Sequence, residues 1–208
     1  RFHATILYNG AMWKGRKIEP FVGGKDGWAA WSLEKKKTRK TVTGYYLRKL
    51  LDENNVKLLA SDTPITIIRY AEVLLNKAEA CYNNNDLTGA NDCIREIRDR
   101  VGLPYTDKAG KDLFNAIRQE RKVELAMEGF WYWDLRRWGV AHESYPVGLS
   151  DYQQHGLKIE KNADGEFVYT YVSVDDKNRN FPEKLYRFPL PASEYNTNDF
   201  VEQYSEWK

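Results

Sequence analysis

The sequence predicts a mainly α protein: tetratricopeptide-like (TPR-like) helical hairpins with long irregular loops and one small β-hairpin. Three observations lead there. Apolar residues recur at helical spacing from Thr66 to Val101, a second helical stretch spans residues 112–128, and glycine- or proline-broken segments flank both.

Residues 1–10, RFHATILYNG, alternate enough for a short strand ending at Gly10. Residues 11–44 read as a long irregular loop, punctuated by Gly15, Gly23, Gly24, Gly27 and Gly44, with a KKKTRK run at 35–40 that suits a solvated turn. Loops of this length are usually functional or disordered. Disordered segments are depleted in aromatic residues, and this one holds Trp13, Trp28 and Trp31, so an ordered loop presenting some of these rings is expected. The stretch that follows, Thr41 to Asp52, sends Tyr45 and Tyr46 in different directions whether it is strand or helix, so at most one of them faces a ligand.

From Thr66 the pattern turns helical. Ile67, Tyr70, Ala71, Leu74, Leu75, Ala78 and Tyr82 form one stripe, with Thr63, Pro64 or Thr66 as start signals. Residues 83–86 make a turn, and Asp86 is placed to cap a second helix whose stripe is Leu87, Ala90, Ile94, Ile97 and Val101, ended by Gly102 and Pro104. Two such helices form an αα-hairpin, the unit of TPR-like repeats. A third helix at 112–128 and a shorter one after Gly129 supply a second hairpin. Repeats bury their faces against neighbours on both sides. Few neighbours are present, and Arg1 is not an initiator methionine, so a processed or partial chain is expected.

After Pro146 the helical signal fades. Residues 156–160 and 167–174, bridged by Asn162 to Gly165, predict a β-hairpin, and Pro189 and Pro191 set an extended tail. The chain thus reads as an aromatic loop region (1–60), helical hairpins (61–140) and an irregular, β-hairpin and proline-rich tail (141–208). These make up one domain over 1–208 or the C-terminal part of a larger one.

The third helix mixes ions into its apolar face. Leu113, Ile117 and Leu125 share that face with Arg121, Glu124 and Glu128. Buried ions must find partners, so Glu120, Arg121, Glu124 and Glu128, with Asp134 beyond Gly129, are expected to form a structural ion-pair network.

Composition narrows the function. Net charge is +2 from 32 basic and 30 acidic residues, which lacks the basic excess of a nucleic-acid surface. No apolar run approaches the roughly 20 residues that span a bilayer. Cys81 and Cys93 make no metal site by themselves, and buried free thiols are expected over a disulfide between neighbouring helices. No cofactor is expected; Asp175, Asp176, Asn178 and Asn180 offer oxygens for Ca²⁺ but read as a polar turn without EF-hand spacing. No nucleophile elbow, P-loop, dinucleotide fingerprint or HExxH occurs.

The surplus is aromatic: 14% of residues, with seven tryptophans. Surplus Trp and Tyr suggest flat stacking surfaces, of the kind on which the apolar C–H faces of a sugar can rest without any catalytic group, but composition alone says no more than an aromatic-rich helical protein. Trp28 and Trp31, in the glycine-punctuated loop, are the first candidates for ligand contact, and Trp13 and Tyr45 the second. The enzymatic alternative is a glycoside hydrolase with two carboxylates about 5 to 10 Å apart, drawn from Glu120, Glu124, Glu128 and Asp134. Arg118, Arg121, Lys122, Arg136 and Arg137 crowd the same segment and would keep such carboxylates ionised. A pure protein-interaction module is a third reading.

Five blocks of wording, in order, add a resemblance. They are TVTGYYLRKLLD from Thr41, IRYAEVLLNKAEACYNNND from Ile68, IREIRDRVGLP from Ile94, ERKVELAMEGFWYWDLRRWG from Glu120 and LYRFPLPASEYNTNDFVEQYSEW from Leu185. The chain resembles the C-terminal portion of the SusD/RagB family of nutrient-binding outer-membrane lipoproteins. Trp131 stands where that family usually carries arginine, and Tyr204, Ser205 and Glu206 replace its Asn-Pro-Gly. The resemblance implies a SusD-like α-α superhelix and a non-catalytic protein on the extracellular face of the outer membrane. It would capture oligosaccharide or polysaccharide, or peptide in the RagB branch, and deliver it to a SusC-like TonB-dependent transporter. Membrane attachment would come only through a lipid anchor upstream of Arg1.

Overall fold

The computed structural model describes residues 1–29, 40–55, 61–145, 154–174 and 179–208. In chain order the elements are α1 (Phe2–Thr5), β1 (Ile6–Leu7), β2 (Met12–Trp13), β3 (Arg16–Lys17), β4 (Tyr46–Leu47), α2 (Tyr70–Asn83), α3 (Leu87–Asp99), α4 (Gly110–Glu124), α5 (Phe130–Arg137), α6 (Ala141–Ser144), β5 (His155–Lys161), β6 (Phe167–Ser173) and α7 (Ala192–Thr197). Two short 3-10 turns, Glu183–Tyr186 and Ser205–Trp207, complete the tail. The fold is mainly helical, as expected.

The chain forms two compact units, Arg1–Trp131 with His155–Val174, and Tyr132–Gln154 with Asp175–Lys208. The core of the first lies among α2, α3 and α4. Leu75 and Ala78 from α2, Ala90, Ile94 and Ile97 from α3, and Leu113 and Ile117 from α4 are 0–1% exposed. Burying each Leu or Ile stabilises by about 1.5–3 kcal/mol. The α3 start follows the sequence closely, since the Asp86 carboxylate accepts the Gly89 N–H at 2.9 Å. The neutral polar side chain of Asn91 is also buried here, at 4% exposure. Asn91 donates to the carbonyls of Leu87 (2.8 Å) and Lys108 (3.0 Å) and accepts from the Tyr105 hydroxyl (2.8 Å) and the Lys108 N–H (2.9 Å), so its amide fastens the α3–α4 connection.

The start of α2 differs from the sequence expectation. Residues 61–68 form no helix and are exposed, Ile67 is 84% exposed, and the first helical residue is Tyr70 with Arg69 as its N-cap. The Arg69 side chain is drawn away to Glu124 and Glu128 at the end of α4. Residues 1–10 also differ, because Phe2–Thr5 is one helical turn and only Ile6–Leu7 is strand, paired antiparallel with Tyr46–Leu47. Helix α4 ends at Glu124, four residues short of expectation, and Met127 takes a positive φ of 66°.

Strands β5 and β6 form the anticipated antiparallel hairpin, in the register Leu157↔Tyr171 and Ile159↔Tyr169. Its β5 side is anchored, with Leu157 N–H bonded to the Thr43 carbonyl at 3.0 Å and Val22 N–H to the Ile159 carbonyl at 2.8 Å. Gly156 lies flat on this support, where a Cβ would come within 2.5 Å of the Thr43 Cα.

In the second unit Arg136 is the central contact. Its guanidinium lies 4.3 Å from the Phe188 ring centroid and 5.6 Å from that of Phe181, and it donates to the Tyr186 carbonyl at 2.9 Å and to that of Leu185. The Gln203 amide bonds both the N–H and the carbonyl of Leu190, each at 3.0 Å, which holds the proline-rich strand against the final residues.

Cys81 and Cys93 are free thiols, and burial raises the pKa of each above the ordinary thiol value. Both therefore stay protonated at neutral pH.

Candidate functional site

The carboxylates of the charge-laced helix come together with bases supplied from other elements. Glu120 meets Arg98 of α3 at 3.0 Å and Arg1. Glu124 meets Arg69 at 2.8 Å, Arg100 at 2.9 Å and Arg1 at 3.0 Å. Glu128 takes a forked bond from Arg69, Nε at 2.6 Å and Nη2 at 2.7 Å, and a further one from Lys49. Because α4 ends here, its last carbonyls also need donors. Lys49 Nζ bonds the carbonyls of Glu124 (2.7 Å) and Ala126 (3.1 Å), and Arg69 Nη2 bonds the Glu124 carbonyl at 2.6 Å.

Glu120, Arg121, Glu124 and Asp134 are 3–6% exposed. Arg121 reaches Asn76 of α2 at 2.8 Å and lies 6.0 Å from the Phe130 ring, while Asp134 bonds Arg137, three residues on, at 2.8 Å. Burial opposes charge on Glu128, but the bonds from Arg69 and Lys49 outweigh it and hold its carboxyl below the ordinary 4.5. Arg69 moves the opposite way, raised chiefly by its bond to Glu128. A cleft of about 670 Å³ opens over this cluster, with Lys49, Arg69, Arg100, Glu124 and Glu128 on its wall. Glu128 thus sits in the cleft as a bound anion, a state suited to holding the helix end and opposite to that of a general acid.

The four ring candidates fare differently. Trp28, expected to present its face, is 5% exposed and donates its indole N–H to the Thr41 carbonyl at 2.7 Å. This is a correction: the described residues of the loop, 11–29 and 40–44, close around Trp28 rather than present it. Arg16 grips Asp26 through two bonds of 2.6 and 2.7 Å, the Tyr46 hydroxyl donates to the Asp26 carbonyl at 2.6 Å, and Gly23 N–H bonds the Trp28 carbonyl at 2.7 Å. Gly27 permits the tight turn, since a Cβ there would fall 1.8 Å from the Phe21 carbonyl oxygen. Trp31 lies outside the described residues, as do Asp175, Asp176, Asn178 and residues 35–39 of the basic run. Tyr45 is half-buried, edge-on to Phe2 at 6.1 Å.

Trp13 lines an open groove. The groove measures about 690 Å³, and Asp52, Asn55, Ser61, Thr63 and Ile65 share its wall. Arg48 lies 5.7 Å from the Trp13 ring centroid and joins Glu53, whose other oxygen accepts the Lys14 N–H at 2.9 Å. A ring beside an acid, an amide and two hydroxyls is a surface suited to a polyol, with stacking area and short polar groups within one groove. The sequence pointed to Trp13. Its partners Asp52, Asn55, Ser61 and Thr63 carried no motif, and only the fold brings them to the ring.

A profile of the SusD family matches residues 1–207. The chain belongs to the SusD family. Among SusD-like relatives, it is similar to SusD-like protein P38 of Formosa agariphila, at 35% identity over 99 residues, covering 43% of this chain and 20% of that protein. Among solved SusD-like structures, a protein of Bacteroides fragilis superposes on 98% of this chain and 38% of its own length, with a TM-score of 0.75 and 29% identity. A SusD superfamily protein of Bacteroides vulgatus shares the fold, with a TM-score of 0.56 over 99% of this chain and 39% of its own, at 22% identity. The SusD-like fold is thus shared across the chain, which spans about a fifth of that curated relative and under two fifths of those solved structures. No helix among the described residues is long and apolar enough to cross a membrane.

Proposed function

We propose that this chain is part of a non-catalytic glycan-binding protein for nutrient uptake, one that captures oligosaccharide at the cell surface. It delivers that ligand to a SusC-like TonB-dependent outer-membrane transporter. The observation that carries this reading is the match to the SusD family along nearly the whole chain. The groove beside Trp13 supports it, as an open aromatic and hydroxyl-lined surface in the first unit. Attachment through a lipid on a preceding segment, on the extracellular face of the outer membrane, belongs to the same proposal.

A catalytic role for Glu124 and Glu128 is disfavoured by their partners. Each accepts from arginine at 2.6–2.9 Å, and Glu128 is held ionised. The test is incubation of the protein with a panel of soluble oligosaccharides, followed by separate assays of retention and of new reducing ends. Retention without cleavage is the expected result, and cleavage abolished by Glu124→Gln would overturn it. Trp13→Ala is expected to weaken retention tenfold or more with an unchanged circular dichroism spectrum.

A further inference from the structure

The β5–β6 hairpin carries a row of rings with no part in the Trp13 groove. Alternate strand positions line one face, and the register puts Phe167, Tyr169 and Tyr171 on the face whose β5 side holds Ile159, itself 3% exposed. The rings stay in solvent, with Phe167, Tyr169 and Tyr171 at 41%, 52% and 72% exposure. Phe167 and Tyr169 lie 6.5 Å apart between centroids. Phe21 extends the row 5.2 Å beyond Phe167, and His155 stacks flat on Tyr171 at 4.6 Å and 7°. Between Phe167 and Tyr171 the strand advances about 13 Å, enough for more than one sugar ring side by side.

Two features make this row a platform rather than scattered surface residues. The hairpin is pinned along the outer edge of β5, through the backbone bonds of Leu157 to Thr43 and of Ile159 to Val22 and the close approach of Gly156 to Thr43, so the rings are held at fixed spacing. Polar groups also converge on the row: the Asn9 amide donates to the Tyr169 hydroxyl at 3.1 Å, and the Lys161 ammonium sits 4.7 Å from Phe21 and 5.4 Å from Phe167. Of the eight residues on this face of the hairpin, only Lys161 has a permanent charge, so the face has little to offer an ionic ligand. Contiguous exposed aromatic surface of this kind marks a binding site. A neutral ligand with apolar faces and peripheral hydroxyls matches it. An extended peptide adding to a strand edge would rely on main-chain bonds and on pockets for alternate side chains, whereas this row offers open ring faces.

We propose that the Phe167, Tyr169 and Tyr171 row, extended by Phe21, is a second saccharide platform that takes a neutral oligosaccharide laid along β6. This rests on the glycan-binding reading above.

The test is calorimetric titration of the full chain with neutral oligosaccharides of glucose, mannose or xylose. Four proteins are compared: wild type, the Tyr169→Ala/Tyr171→Ala double variant, Tyr171→Phe and Trp13→Ala. The expected result is that the double variant loses tenfold or more in affinity for a sugar the wild type binds, with unchanged circular dichroism, while Tyr171→Phe, which keeps the ring, stays near wild type. Wild-type affinity in the double variant, with Trp13→Ala weakened, would overturn the platform and leave the glycan-binding function standing. If the wild type binds none of these sugars, both readings fall. Loss of binding to a neutral extended peptide, with sugar affinity untouched, would make the row a peptide site and overturn the proposal.

Discussion

Arg69 and Glu128 are locked in a forked pair, with guanidinium Nε and Nη2 at 2.6 and 2.7 Å from the two carboxylate oxygens. Arg69 stands at the N-cap of α2, whereas Glu128 lies just beyond α4, so the pair ties the entrance of one helix to the exit of another. Such geometry matches the two planar groups in both distance and direction. Removing Arg69 leaves Glu128 with Lys49 and Glu124 with Arg1 and Arg100, so Arg69→Leu is expected to cost less than a fully stranded charge would, about 1–3 kcal/mol. Urea denaturation with a double-mutant cycle against Glu128→Leu measures it, and a coupling near zero would refute the pairing.

The same carboxylate sets an acid limit on stability. Its folded pKa lies below its ordinary 4.5, so the stabilisation is fully present above about that value and is lost as pH falls through the lower, folded pKa. Asp26, lowered mainly by its bond to Arg16, adds a contribution of the same sign from its ordinary 3.8 downward. Denaturation midpoints measured from pH 6 downward should therefore fall in the acid range, and Glu128→Gln should flatten that slope.

Asn91 makes four bonds inside the helical core, so its removal strands partners on the α3–α4 connection. Asn91→Ala is expected to destabilise by about 1–3 kcal/mol, with faster amide exchange at Lys108, whose N–H bonds the Asn91 carbonyl oxygen. An unchanged exchange rate there would mean that water replaces the side chain.

Gly156 has no room for a methyl group, because backbone atoms of Val42 and Thr43 already stand 2.5–3.0 Å from the Cβ position. Gly156→Ala should cost about 1–3 kcal/mol and raise protease sensitivity in the hairpin while the helices keep their circular dichroism. Retained protection of the hairpin would show that it does not depend on the Thr43 contact.

In the second unit, Arg136→Ala removes the cation packed on Phe188 along with its bonds to the Leu185 and Tyr186 carbonyls. Limited proteolysis is expected to cut the tail near residues 185–188 sooner, and Arg136→Lys should rescue only in part, since an ammonium lacks the planar fork.

The sequence by itself determined the helical pairing of residues 70–99, the Asp86 cap, the hairpin strands and the presence of buried ions on α4. These features follow from local periodicity and from the chemistry of single residues. Only the tertiary structure decided which bases answer the glutamates, because Arg1, Lys49, Arg69, Arg98 and Arg100 arrive from 22 to 123 residues away. It also decided the fate of the rings. Trp28 and Trp13 come from one stretch of chain and are one residue type, but Trp28 is sealed by a hydrogen bond to Thr41, whereas Trp13 stands beside Asp52, Asn55, Ser61 and Thr63 on an open groove. Burial depends on what the fold brings alongside, and composition carries no record of that.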